Sequence, residues 1–147
     1  MMFTFVPLTM DLVDEIGAWD YEGFVEQVIM TPYYESYNGD GILKGPGGCD
    51  GYAALFDGKT VGLFEFTQKK DFLEIGLALK PEWIGRGFGE TFVREGIAFG
   101  VQQYEGICSI ILTVSVENES AVTVYKKAGF SIVRERAGEV EMEKFIK

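Results

Sequence analysis

Residues 81–92 read PEWIGRGFGETF, with glycine at the alternate positions 85, 87 and 89. Upstream, FLEIGLALK alternates cleanly: Leu73, Ile75, Leu77 and Leu79 share one face, while Glu74, Gly76 and Ala78 share the other. Pro81 helps end that strand. Downstream, GETFVREGIAFGVQQY reads as a packed helix, with Phe88, Phe92, Ile97, Phe99 and Val101 as its apolar residues. Glycine in a helix's first turn costs about 1 kcal/mol relative to alanine, so something must require bare backbone between this strand and this helix. One answer is a phosphate cradle. The first N–H groups of a helix lack partners, its dipole favours an anion, and glycines admit a bulky diphosphate without Cβ clashes. Arg86 can add a charge. The competing answer is a turn that only packs closely. The spacing excludes two familiar cradles: no Gly-x-x-x-x-Gly-Lys-Ser/Thr is present, and a dinucleotide fingerprint starting at Gly85 meets Glu90 where glycine or alanine is needed.

The rest of the chain supplies the layers. FTFVPL is a short first strand, and Thr9 caps a helix carrying Leu12, Val13, Ile16 and Trp19. YEGFVEQVIM continues helically through Phe24, Val25 and Val28, and residues 31–50 read as a long irregular segment. GYAALF and TVGLFEFTQ form two strands around an Asp-Gly turn. ICSIILTVSV is expected to be a fully buried, central strand with Cys108 in the core. NESAVTVYKKAG is a short helix between an Asn118 cap and a Gly129 stop. The chain closes as a hairpin at Ala137-Gly138. The 147 residues make one domain, with neither internal repeat nor linker, in a mixed α/β layer structure.

Composition narrows the function. A net charge of −10 without a basic run disfavours nucleic acid, and no apolar run has membrane-spanning length. The N-terminal residues lack a basic leader pattern, so a cytoplasmic protein is expected. Cys49 and Cys108 have no metal spacing, so no metal is expected, and the chain has no histidine. Any catalytic base is therefore a carboxylate, lysine, tyrosine or water.

Some thirty residues after the glycines comes VSVENESAVTVYKKAGF. The pair Leu-x-Pro…Gly-Arg-Gly-x-Gly and Val-x-x-x-Asn-x-x-Ala-x-x-x-Tyr-x-x-x-Gly-Phe resembles the GCN5-related N-acetyltransferase (GNAT) superfamily. The resemblance is motif-specific from Phe64 to Phe130, and element order extends it to the whole chain. It implies a mixed, mostly antiparallel sheet of about seven strands, with splayed fourth and fifth strands and about four flanking helices. It implies acetyl-CoA as cosubstrate. Backbone groups of Leu77, Ala78 and Leu79 would pair with pantetheine amides. Ile84, Gly85, Arg86, Gly87, Phe88 and Gly89 would hold the diphosphate, Asn118 would bond the pantetheine, and Tyr125 would protonate the departing thiolate. Ile84 is a departure, because the family usually has Gln or Arg there. Main-chain N–H groups do most of that motif's work, so weaker binding or altered loop packing is expected, not loss of the cosubstrate.

A phenol near pKa 10 is a workable acid toward a thiolate near 8.5, and this is the favoured role for Tyr125; a tyrosine merely packed beside Gly129 and Phe130 is the competing reading. A backbone N–H near Leu79 could polarise the thioester carbonyl. Glu74 is the leading base: it shares a face with the small Gly76 and Ala78, and in many similar sequences a glutamate there acts as base or positions a water. A solvated surface charge is the competing reading. Glu117 and bare water are the other options. Trp19, Tyr21, Tyr33, Tyr34 and Tyr37, with Asp20, Glu22 and Glu35, could form an acidic aromatic wall for a cationic amine, or the aromatics could merely cement helices to the sheet. The expected partner is a small-molecule or peptide amine, and a homodimer is possible through the final hairpin. Against the enzyme reading stands a non-catalytic acyl-CoA-binding module, a sensor or scaffold on the same fold.

Overall fold

The computed structural model describes residues 1–21 and 28–146. Seven strands form one sheet in the order β1-β2-β3-β4-β5-β7-β6. They are β1 (Thr4–Pro7), β2 (Asp50–Phe56), β3 (Lys59–Lys69), β4 (Phe72–Leu79), β5 (Ser109–Ser115), β6 (Ser131–Arg136) and β7 (Glu139–Phe145). Every neighbouring pair is antiparallel except β4 and β5, which run parallel. Four α-helices accompany them among the described residues: α1 (Met10–Gly17), α2 (Thr31–Asp40), α3 (Gly89–Gln103) and α4 (Glu119–Lys127). The seven-stranded mixed sheet flanked by four helices is the architecture expected, although one of the helices lies in a different segment from the one anticipated.

Local chemistry explains most boundaries. Thr9 Oγ1 accepts from Leu12 N–H at the start of α1, and Gly129 turns the chain out of α4 at φ 103°. The β2–β3 and β6–β7 hairpins turn on Asp57-Gly58 and Ala137-Gly138. All four residues have positive φ, which matches the right-handed twist of the strands they join.

Two apolar layers cover the sheet. One packs α3 and α4 against Phe5, Phe64, Phe66, Leu73, Ile75 and Ile110. Gly96 and Gly100 let α3 lie almost on the strands: a Cβ at either would fall 2.2 Å from the Phe64 ring or 2.6 Å from the Phe66 ring. The other layer joins α1 and α2 to Ala53 and Leu63 through Val13, Ile16, Trp19 and Tyr33. Side chains alternate across a strand, so Glu65 belongs to the same face as Leu63.

Three expectations change. Residues 31–40 are helical, not irregular: Pro32 suits a first turn, and Gly41 closes the helix in the left-handed region at φ 76°. Only Tyr33 of α2 is buried, so the sequence shows no apolar stripe there. The helix expected over 21–30 falls largely outside the described residues, Phe24 and Val25 included, and Val28–Met30 are not helical. Finally, β5 is not buried throughout. Ile110, Leu112 and Val114 are buried while Thr113 is exposed, because the α1–α2 face is open at this strand. Cys108 precedes β5 and is half-buried.

Candidate active site

The sheet splits in the middle. β4 pairs with β5 only at Phe72–Ser109, Leu73–Ile110 and Glu74–Ile111, whereas β3 pairs with β4 as far as Leu79. Beyond Glu74, β4 therefore presents an open edge. Antiparallel strands alternate between residues bonded to the partner and residues turned away. Lys80 N–H donates to Val61 O (2.8 Å), which sets the phase. Gly76 and Ala78 face β3, and Leu77 and Leu79 face the opening. In this register the Ala78 backbone is directed toward Leu63, so of the expected trio Leu77 and Leu79 are the two turned to the opening. The Leu79 carbonyl also accepts from Tyr21 Oη at 2.5 Å.

The glycine run follows a 3₁₀ turn at Pro81–Trp83. Gly85 (φ 75°) and Gly87 (φ 87°) occupy the left-handed region, and a Cβ at either would meet nothing within 4 Å. They are glycines for conformation. Gly89 is a glycine for proximity: it opens α3, and a Cβ there would lie 3.2 and 3.3 Å from the Val124 methyls on α4. Phe88 stands at the N-cap and makes no side-chain cap bond, so the first-turn N–H groups are left to an anion or to water. Phe88 instead anchors the loop by packing on Trp83, with ring centroids 4.6 Å apart. Arg86 lies over both rings (6.0 and 5.9 Å) and donates to Glu82 O. Ile84 points outward, 38% exposed, and its main chain stays bonded to Pro81 O. Its departure from the usual Gln or Arg thus alters the loop's side chain without disturbing its backbone.

On α4, Asn118 is the N-cap. Its side-chain oxygen accepts from Ala121 N–H at 3.3 Å, which engages that oxygen in the cap. Tyr125 is half-buried, edge-on to Phe130 with centroids 6.0 Å apart.

Next to the split, on the α1–α2 face, lies a cleft of about 250 Å³ lined by Cys49, Glu65, Thr67, Glu74, Gly76 and Thr113. Glu74 sits at its rim, exposed and 3.9 Å from Lys69 Nζ. Glu65 is deeper. Tyr33 Oη donates to its Oε2 at 2.5 Å, and an added Cβ on Gly76 would come within 3.2 Å of its Oε1. Burial holds the Glu65 carboxyl above the usual glutamate range, against the Tyr33 hydrogen bond, which favours the ionised form. Burial and the neighbouring Glu65 push the Cys49 thiol up to about 12. Glu65 did not stand out in the sequence. Its signal was a lone carboxylate inside the apolar run TVGLFEFTQ. Glu117 is exposed, with its N–H bonded to Ser115 Oγ.

Among the described residues, the aromatics expected to form a wall do not share one surface. Trp19, Tyr21 and Tyr33 are buried in the α1–α2 layer, Tyr34 bonds Asp14 at the surface, and Tyr37 is exposed. Tyr33 alone among them reaches the cleft lining, through Glu65. Glu22 lies outside the described residues. No group of metal-ligating side chains is found among the described residues, and none of their helices is long and apolar enough to cross a membrane.

Residues 13–130 match the sequence model of the Acetyltransferase (GNAT) family. No curated protein matches the chain by sequence. Solved structures resemble its fold at low identity. Spermidine N-acetyltransferase from Vibrio cholerae, in complex with CoA and spermine, is 19% identical with a TM-score of 0.69, over 98% of this chain and 95% of that one. The N-acetyltransferase PseH of Campylobacter jejuni is 17% identical with a TM-score of 0.72, over 100% of both chains. AAC(6')-Ib, in complex with paromomycin and acetyl-CoA, is 15% identical with a TM-score of 0.74, over 99% of this chain and 94% of that one.

Proposed function

Because the chain belongs to the acetyltransferase (GNAT) family, we propose that it is an acetyl-CoA-dependent N-acetyltransferase that modifies a primary amine by direct transfer in a ternary complex. Its 147 residues act as one catalytic domain. The observation that carries this reading is the end of β4–β5 pairing at Glu74, beside an α3 whose first turn no side chain caps. The open edge and the cradle suit a long ligand with an anionic end. Leu77 and Leu79 would bond its amide arm, with Leu79 O exchanging Tyr21 for the ligand. Gly85 to Gly89 would offer main-chain N–H groups to the diphosphate, with Arg86 and Ile84 at their side, and Asn118 would contact the arm from α4. Acetyl-CoA supplies an activated acyl carbon and a thiol leaving group.

The chain's own groups do the rest. Tyr125 is assigned to protonate the leaving sulfur. Glu74, at the rim of the cleft, favours entry of a cationic amine, as does the net charge of −10. The polyamine ligand of one neighbour and the aminoglycoside of another are in keeping with such an acceptor. A thiol held near 12 at Cys49 is a poor nucleophile, which favours direct transfer over an acyl-enzyme. Two free cysteines suit the reducing cytoplasm, where we place the protein.

The test begins with melting temperature. Acetyl-CoA at a hundred times Kd should stabilise the protein by about 2.7 kcal/mol, or roughly 5–10 °C for a domain of this size. A thiol-release screen across primary amines then follows. Binding with turnover supports the enzyme, binding without turnover of any amine points to a non-catalytic acyl-CoA-binding module, and no binding refutes both.

A further inference from the structure

We infer that Glu65 is a catalytic residue of this reaction: it binds the acceptor's ammonium group in the cleft and takes its proton. The inference rests on the N-acetyltransferase reading and deepens it. Glu65 lies directly opposite Gly76 in the β3–β4 register, and Gly76 is the second residue of β4 past the end of its pairing with β5. Its two oxygens have different surroundings. Oε2 is held by the hydroxyl of Tyr33, whose fully buried ring fits against Gly45 and Gly51; a Cβ at either glycine would fall 2.4 or 2.3 Å from that side chain. Oε1 lies under the missing side chain of Gly76, where any larger residue would cover it. One oxygen is thus fixed, and the other faces the space a ligand would use.

The charge balance points the same way. A carboxylate drawn partly out of water, as the half-buried Glu65 is, is stabilised by a nearby cation. Among the described residues, the ion pairs are Lys44–Asp50, Lys69–Glu74, Lys80–Glu82 and Arg94–Glu90, so Glu65 has no ion-pair partner among them. The groups facing it are the Tyr33 hydroxyl from α2 and the Cys49 thiol from the segment before β2, with Glu74 lining the same cleft from β4. None of these is a cation. An alkylammonium supplies the missing charge. Glu74, in contrast, is solvated and already has Lys69 nearby.

The step balances as follows. Glu65 takes one proton from R–NH₃⁺, which leaves a lone pair on nitrogen. That pair forms the C–N bond to the acyl carbon as the C–S bond breaks, with its electrons passing to sulfur. The sulfur takes the Tyr125 proton, the surplus nitrogen proton restores Tyr125, and Glu65 returns its proton to solvent.

The test uses the whole protein in Glu65→Gln, Glu65→Asp and wild-type forms, with a primary-amine panel of spermine, an aminoglycoside and a lysine peptide. Glu65→Gln should lower kcat/KM by roughly 100-fold or more and remove the acid limb of its pH profile. Glu65→Asp should retain that limb and part of the rate. The melting shift with acetyl-CoA should match wild type in both variants. In the protein without ligands, the ¹³C carboxyl resonance of Glu65 should titrate above the ordinary glutamate range. Glu65→Gln turnover within about threefold of wild type, or a carboxyl titrating in the ordinary range, overturns the assignment while leaving the enzyme reading intact. Failure of wild type to turn over any amine overturns both.

Discussion

Gly85 and Gly106 form a matched pair. Both have φ 75°, and a Cβ on either would meet nothing within 4 Å. Alanine at either position therefore costs backbone strain alone, since no contact is gained or lost. The left-handed region disfavours an L-residue by about 1–2 kcal/mol, and the stiffer unfolded chain returns about 0.4–1 kcal/mol of that. The net loss should be about 1 kcal/mol, equal at the two sites. With an unfolding entropy of roughly 2.1 cal/mol/K per residue, a domain of this length loses about 3 °C per kcal/mol. Gly85→Ala and Gly106→Ala should thus each lower Tm by about 3 °C in calorimetry. The two should part when acetyl-CoA is titrated. Gly106 sits in the turn after α3, away from the candidate cradle, and its variant should bind as wild type does. Gly85→Ala tilts the peptide groups before α3 and should weaken binding roughly tenfold, the worth of one charge-assisted hydrogen bond. Equal acetyl-CoA affinities in the two variants would refute the cradle. A Tm loss at Gly106 alone would refute the left-handed turn at Gly85.

Other expectations concern the cleft and its acid. Tyr125→Phe should lower kcat by roughly 100-fold and leave the acetyl-CoA melting shift intact, read by thiol release and calorimetry. Tyr33→Phe removes the hydrogen bond that favours ionised Glu65; the acid limb of kcat/KM should move to higher pH while the ring keeps its packing. The stability of the fold should also report Glu65. Its native pKa is raised by burial, so the native state holds this proton more tightly than the unfolded chain does. The resulting stabilisation is complete below the unfolded glutamate pKa, about 4.3, and is lost as pH rises through the native value. Urea midpoints measured from pH 4 upward should therefore shift in favour of Glu65→Gln relative to wild type. A constant difference across pH would count against the burial argument.

Much of this protein is determined one element at a time, and those parts were legible in the sequence. The β4 alternation, the Asp57-Gly58 and Ala137-Gly138 turns, the Thr9 and Asn118 caps and the Gly129 stop each depend on the φ, hydrogen bonds or periodicity of a few adjacent residues. The glycine run was legible as bare backbone between strand and helix. Its division of labour was not: left-handed φ at Gly85 and Gly87 is local, but the closeness of Gly89 to Val124 joins residues on two helices. Helix α2 escaped notice because only Tyr33 turns inward, and one buried side chain makes no period. Glu65 escaped for a related reason. In one dimension it is a charge in an apolar strand; its meaning comes from Tyr33, Cys49 and Gly76, which three other segments bring to it. The phase that turns Leu77 and Leu79, but not Ala78, to the open edge likewise follows from the pairing with β3. Backbone conformation is settled by near neighbours, whereas the environment of a half-buried charge and the exposure of a strand edge are settled by whichever segments fold beside them.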